Sequence, residues 1–277
     1  MLEDLDARPG SGTSLLRTVI GLALRDLGGW IATPHLLTLL EAVGVSAAVG
    51  RTTVSRLKAK GVLATQQVGG VAGYRVTPTA EAMLRRGDRR IFATGRAAAA
   101  DPWCLVAFSI PESERDRRHQ LRRRLTGIGC GTVAPGLWIA PDRLRPEVRA
   151  VIDELGLGER TTLFTGVPEV GGPLSDAVAR WWNLPSAAAA AGEFLAAHTG
   201  DDPAAGTGVP DGPAAFAVLV RAVDRWRVLP YLDPGLPAAL LPDGWPGIAA
   251  AELFGRIRAG CAPAAAAWVR SVVATGR

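Results

Sequence analysis

Cysteine, histidine and lysine are scarce in this chain of 277 residues, and each shortage excludes a class of protein. The three cysteines, Cys104, Cys130 and Cys261, form no CxxC pair, and three histidines, His35, His119 and His198, cannot complete a zinc constellation at the usual spacing. Neither a disulfide scaffold nor a structural metal is expected. The longest stretch free of Asp, Glu, Lys and Arg, Leu125 to Pro141, holds four glycines and two prolines. No segment therefore reaches the roughly 20 apolar residues of a membrane span. The start, MLEDLDARPG, is acidic and polar rather than basic then apolar, which predicts no secretory signal and a cytoplasmic chain with free thiols. No GxSxG occurs, and no glycine-rich run ends in Gly-Lys-Ser/Thr, so neither a serine-hydrolase triad nor a P-loop is expected. Gly127 to Gly131, GIGCG, reads as a glycine turn, and no cofactor motif is present.

What is present is a globular composition, 48% hydrophobic and 21% charged, long enough for two or three domains. The charge is uneven. Residues 1–100 hold 13 Lys/Arg against 7 Asp/Glu, residues 101–200 hold 11 against 12, and residues 201–277 hold 7 against 7. A basic first third (+6) attached to a nearly neutral remainder points to an anionic partner at the N-terminal end, and nucleic acid is the commonest. Against this stands a blander source of the arginine excess: only Lys58 and Lys60 are lysines, the usage of a high-GC bacterial genome.

Along the chain, Leu15, Val19, Leu22, Leu24 and Leu27 fall near helical spacing before a Gly28-Gly29 stop. Thr33-Pro34 opens a second helix through Val43, and Ser46 caps a third that runs to Gly61. Val62 to Val68, the glycine-rich Gly69 to Gly73 and Tyr74 to Val76 read as strand, turn, strand. Helix, helix, tight turn, helix and hairpin is the order of a winged helix-turn-helix. The third helix places Arg51, Thr52, Thr53, Ser55, Arg56, Lys58 and Lys60 on its polar positions, with Val49, Val54 and Leu57 toward the core. Together with Arg75 of the hairpin these are the candidate contacts to double-stranded DNA; a merely solvated helix face is the plainer alternative.

A short helix is expected over Thr79 to Arg86, and Arg85 to Arg96 reads as a basic linker. Trp103 to Ile110 is a buried-strand run ended by Pro111, followed by an arginine-rich helix over Glu114 to Leu125. A strand at Leu137 to Ala140, a helix at Pro146 to Leu155 and a strand at Arg160 to Thr165 complete a small α+β sandwich of ferredoxin-like type. From Leu174 the chain is helical, with a Gly/Pro/Asp break over Thr199 to Pro213, a helix from Phe216 to Arg227, and a closing helical hairpin or Pro263-broken helix. The fold class is α+β, with an N-terminal winged helix-turn-helix over 1–96, a central ferredoxin-like domain over 97–172 and a mainly helical C-terminal domain over 173–277.

Three stretches resemble one family, the PaaX-like transcriptional regulators that repress phenylacetic acid degradation operons. SAAVGRTTVSRLKAKGVL resembles their recognition helix, with Arg51, Thr52, Arg56 and Leu57 on its Arg-Thr and Arg-Leu positions. WCLVAFSIPESERDRRHQLRRRL followed by GLWIAP resembles the central domain, and LPYLDPGLPAALLPDGWPG the C-terminal Asp-Pro, Leu-Pro and Trp-Pro-Gly signature. The resemblance implies a winged-helix DNA-binding domain, a central domain related in fold to small CRISPR adaptation nucleases, and repression relieved by an aryl-acyl thioester such as phenylacetyl-CoA. Ala47, Ala48 and Gly50 stand where the family's recognition helix is more basic and polar, and the wing tip is GGVAG.

Two functions follow. The first is a homodimeric repressor that binds an operator and a small organic acid or its CoA thioester, with Arg115, Arg118, Arg225 and Tyr231 as ligand contacts in a cleft between the central and C-terminal domains. On the arginine-rich helix, ordinary pairing with Glu112, Glu114 and Asp116 competes with that role. The alternative is an enzyme on a regulator scaffold, using Asp224, Asp233 or His119 for proton transfer, which the short side chains at the DNA-reading surface would permit.

Overall fold

The computed structural model describes residues 8–92, 95–205 and 210–275; the acidic start of the chain and part of the 199–213 break lie outside the described residues. Ser11 caps α1 (Gly12–Val19) by accepting the Ser14 N–H, and the helix continues as a π turn over Ile20–Leu24. β1 (Trp30–Ala32) leads directly into α2 (Thr33–Ala42), which has Pro34 in its first turn, and Ser46 caps α3 (Ala47–Ala59). β2 (Leu63–Val68) and β3 (Val71–Val76) form a hairpin, and α4 spans Pro78–Ile91. The next segment contains β4 (Trp103–Phe108), α5 (Arg115–Gly127), β5 (Gly131–Ala134), β6 (Leu137–Pro141), α6 (Arg145–Glu154) and β7 (Thr161–Gly166). Helices α7 (Leu174–Trp181), α8 (Leu184–His198), α9 (Gly212–Trp226), α10 (Leu229–Leu232) and α11 (Pro246–Ala274) follow. The mixture of helices with two small sheets is an α+β fold. Among the described residues no single helix is long and apolar enough to cross a membrane.

Contacts divide the chain into two units, each assembled from separate stretches of sequence. The three-stranded unit takes residues 8–92, the end of α8, α9 and most of α11; the four-stranded unit takes residues 95–192 and 228–248.

In the three-stranded unit the sheet order is β1-β3-β2, all antiparallel. The β2–β3 turn needs only Gly69 and Gly70, at φ +58° and +82°, the left-handed pair that matches the twist of a two-residue hairpin. Gly73, expected in that turn, lies inside β3 between Ala32 and Gln66. A Cβ there would sit 2.7 Å from the Trp30 ring and collide with the Ile31 carbonyl, so close packing fixes this glycine. Gly50, Thr53, Val54 and Leu57 form the buried stripe of α3, the i, i+3, i+4, i+7 pattern of an amphipathic helix. Val49, expected inside, falls off that stripe and is 49% exposed. Gly50 is a packing position: a Cβ there would meet Leu40 at 3.1 Å and Leu37 at 3.2 Å, so its absence lets α3 lie close on α2.

The basic segment expected to be a linker is largely helical, because α4 runs on to Ile91. Arg25 forms an ion pair with Asp88, the Trp226 indole donates to the Ile91 carbonyl at 2.8 Å, and Phe92 stacks on Phe254 at 6.3 Å. These partners lie on α9 and α11 or next to α1, out of reach of a local sequence pattern.

In the four-stranded unit the order is β5-β6-β4-β7, antiparallel throughout, with α5 following β4 and α6 following β6. This is a β-α-β-β-α-β connectivity. The reading from sequence lacked β5, a four-residue edge strand with a register shift between Thr132 and Ala134, too short and irregular to show alternation. Both sheet faces are covered. Cys104, Val106, Trp138 and Ala140 join Leu121, Leu125, Val148 and Val151 on one side. Trp103 and Ile139 join Val178, Trp182, Leu236 and Trp245 on the other. Double-sided burial explains the unbroken apolar run in β4. In the GIGCG turn, Gly129 has φ +85° and its carbonyl accepts the Trp182 indole N–H at 2.8 Å, while a Cβ on Gly131 would lie 2.8 Å from the same ring. Near the C-terminus, α11 passes through Pro263 as one helix.

Candidate nucleic-acid interface and ligand cavities

Helix α3 displays Arg51, Thr52, Ser55, Arg56, Lys58 and Lys60 on its exposed side, flanked by the hairpin. Thr53 is the exception in the predicted set: it is 3% exposed, and its hydroxyl donates to the Val49 carbonyl at 2.8 Å. Thr52 likewise donates to Ala48 at 3.2 Å but stays at the surface. Arg75 is exposed on β3, with its guanidinium on the Gln66 side-chain oxygen. Among the described residues Arg51, Arg56, Lys58 and Lys60 have no carboxylate partner. Four unneutralised cations spread over the exposed side of α3 and its C-cap attract a polyanion.

Half of the α5 arginines are paired with acids, while Arg115, Arg122 and Arg123 have no acid partner among the described residues. Arg118 pairs with Glu112 at 2.6 Å, Arg117 with Glu114 at 2.7 Å and Arg124 with Glu154 at 2.6 Å. Arg115 donates to His119 at 3.3 Å. The candidate ligand contacts Arg115 and Arg118 thus sit on an exposed helix, and Arg118 is occupied by an acid. Tyr231 is buried in α10 of the same unit, whereas Arg225 is exposed on α9 in the three-stranded unit.

Of the groups considered for proton transfer, His119 is exposed on α5, whereas Asp224 and Asp233 are engaged in holding the fold. Asp224 is 1% exposed and accepts the Gly10 N–H at 2.6 Å, the Thr18 hydroxyl at 3.1 Å, the Ser14 hydroxyl and the Arg227 guanidinium at 3.3 Å. Arg227, also buried, donates to Ser14 at 2.7 Å. Asp233 organises the Asp-Pro-Gly loop: one oxygen accepts the Gly235 and Leu236 N–H groups, the other accepts from Arg96 at 2.6 Å and Trp245 at 2.8 Å. Arg143 reaches the Pro234 carbonyl of this loop, and burial pulls its guanidinium below the ordinary arginine value against the opposing charge of Asp233. His198 is 3% exposed with Nδ1 2.9 Å from Asp201; burial pushes its imidazole below the usual histidine range despite that carboxylate.

Two cavities lie within the three-stranded unit. One, of about 390 Å³, is mainly apolar and lies among the π turn (Leu22, Ala23), Phe92, Leu219 of α9 and the α11 residues Ala262 and Ala265, with Asp26, Arg258 and Arg270 also in its wall. Arg258 stands over the Phe92 ring at 5.2 Å. The other, of about 630 Å³, is polar and reaches from the α2–α3 turn to α9. The sequence reading missed Arg221, Arg258 and Arg270; the i, i+4 spacing of Arg221 and Arg225 was the one available signal, and the apolar cavity had none, because its walls come from both ends of the chain.

Three family models match consecutive parts of the chain: the PaaX-like protein model over residues 11–80, the PaaX protein central Cas2-like domain over 96–178 and the PaaX-like protein C-terminal domain over 182–271. The chain is 28% identical over 274 residues to the transcriptional repressor PaaX of Escherichia coli (strain K12), covering 96% of this chain and 85% of that protein. The solved structure of uncharacterized protein Rv0674 from Mycobacterium tuberculosis has the same fold, with a TM-score of 0.56 at 23% identity over 92% of this chain and 96% of that one. With the three models in order and a relative aligned along nearly the whole length, the chain belongs to the PaaX-like family.

Proposed function

We propose that this protein is a cytoplasmic transcriptional repressor that reads a double-stranded DNA operator with a winged helix-turn-helix, α3 entering the major groove and the β2–β3 hairpin lying beside it. The observation that carries this reading is the exposed side of α3, where Arg51, Arg56, Lys58 and Lys60 stand without acid partners among the described residues, next to the β2–β3 hairpin. The curated relative's name, a transcriptional repressor, supports it, as do three buried free thiols for the compartment. Arg51, Thr52, Ser55 and Arg56 meet base edges and phosphates, and Lys58, Lys60 and Arg75 add backbone contacts. Thr53 supports the helix from inside. The active form is a homodimer, since one short recognition helix supplies little specificity and paired half-sites lie about 34 Å apart.

Repression is relieved by a small organic acid or its CoA thioester. The apolar cavity of about 390 Å³ supports that part: it suits an aryl or branched acyl group, with Arg258 and Arg270 in the same wall as counter-charges. Its walls include the π turn that follows α1 and Phe92 after α4, so an occupant touches the elements that frame α3. Mobility-shift assays on the upstream region of the protein's own gene test the reading. Preference for that fragment over random DNA, released by an acyl-CoA panel and insensitive to it in Ala262→Trp, is the expected result. Equal binding to all DNA rejects the repressor assignment.

A further inference from the structure

The polar depression of about 630 Å³ joins parts of the chain that the DNA-reading face alone does not contain. Ser46 and Val49 of the first turn of α3 form one side, and Arg221 and Arg225 of α9 with His198 and Asp201 form another. Arg221 and Arg225 are four residues apart on one face of α9, both exposed, and neither has a hydrogen bond or ion pair among the described residues. Like charges at that spacing repel, so the pair gains from an anion between or above them. Asp224 is committed to Gly10, Ser14, Thr18 and Arg227, and Asp201, hydrogen-bonded to His198, leaves a single negative charge in this wall against the two arginines. At the start of α3 the Ser46 hydroxyl accepts the Val49 N–H, and Ala47 and Ala48 carry nothing beyond Cβ, so they add no charge there.

We propose that Arg221 and Arg225 hold a backbone phosphate of the DNA read by α3, making α9, from the last third of the chain, part of the DNA interface. The inference rests on α3 being the DNA-reading helix. A duplex on the exposed face of α3 carries its phosphates past the first turn, which forms one wall of this depression. The lining here is mainly polar, with Leu15, Val43, Val45 and Val49 as its apolar part, and it suits a phosphate better than the other, mainly apolar, cavity does. The short residues Ala47 and Ala48 then have a positional explanation: the positive charge that the start of α3 does not supply comes from α9.

Full-length protein is titrated by fluorescence anisotropy with its upstream operator fragment and with a random duplex, over about 50 to 200 mM salt. Arg221→Ala and Arg225→Ala should weaken binding to both duplexes by the same factor and reduce the log–log salt slope by about 0.9 for each lost phosphate contact. Discrimination between the duplexes should not change, and Arg225→Lys should keep most of the slope. Arg123→Ala, which removes one exposed positive charge from the four-stranded unit, should leave the slope as it was. Unchanged affinity and slope in the α9 variants, with Arg51→Ala weakened, overturns the α9 contact and leaves the repressor reading standing. An equal effect from Arg123→Ala overturns it as well, as a bulk-charge effect. Loss of effector release at an unchanged salt slope assigns the arginines to a free anion and also overturns it. If the wild-type protein prefers no duplex, the repressor reading fails and the α9 contact with it.

Discussion

The Asp224 carboxylate on α9 accepts the backbone N–H of Gly10 at 2.6 Å across 214 residues of sequence, tying the entrance of the first helix to the last third of the chain. Arg227, one turn further along, completes the link by donating both to Asp224 and to Ser14. The two charges are 1% and 4% exposed, and each is tolerable only because the other is present.

Removing one partner should therefore be expensive. Asp224→Ala leaves Arg227 buried without its counter-charge and is expected to destabilise the three-stranded unit by about 3 to 5 kcal/mol. Asp224→Asn, which keeps one acceptor oxygen, for Gly10 or for Ser14, should cost less. Urea midpoints of the two variants against wild type measure the difference.

Two glycines should respond differently to alanine. At Gly50 a methyl group meets only the tips of Leu37 and Leu40, which can give by a few tenths of an ångström. The helix-propensity gain of up to about 1 kcal/mol offsets the crowding, so Gly50→Ala should change stability by less than about 1 kcal/mol. At Gly73 the obstacle is the Ile31 backbone and the Trp30 ring, and Gly73→Ala should cost at least about 1 to 3 kcal/mol. Thermal unfolding followed by tryptophan fluorescence reports on both.

Stability should fall on acidification through His198. Its folded pKa lies below the unfolded value because burial disfavours the imidazolium, so below about pH 6.5 the unfolded chain takes up the proton first. The contribution is complete above that pH and is lost progressively as pH drops toward the folded pKa. Urea midpoints at about pH 7.5 and about pH 5.5 should differ less in His198→Phe than in wild type.

On α3, proposed to read DNA, Arg51→Ala should cost about 1 to 3 kcal/mol on the cognate operator and relax preference at one base position if the contact is to a base edge. Lys58→Ala should instead weaken all duplexes alike and lower the salt slope by about 0.9. Anisotropy on an operator set with single base changes separates the two patterns.

Local chemistry made much of the chain legible. Ser46 as a cap, Gly69-Gly70 as a hairpin turn and the apolar run from Trp103 act within a few residues of themselves, and such signals survive in any surroundings. Three motif stretches carried the family. Short range also set the limits. β5 has four residues and a bulge, so it offered no alternation to count. Val49 and Thr53 exchanged their expected sides because the core-facing stripe of α3 is fixed by where α1 and α2 approach it, with Gly12 and Gly50 allowing the close contact.

The sequence by itself determined most element types, the basic first third, the exposed cations of α3 and the Gly69-Gly70 turn, because propensity, capping and periodicity are local. Only the tertiary structure decided that α9 and α11 pack beside the N-terminal helices, that Asp224 is a buried tie and Asp233 a loop anchor, and that Arg221 and Arg225 share a depression with the start of α3. Each of these depends on residues far apart along the chain meeting in space, where burial sets whether a charge is neutralised inside the fold or left free to meet an anion.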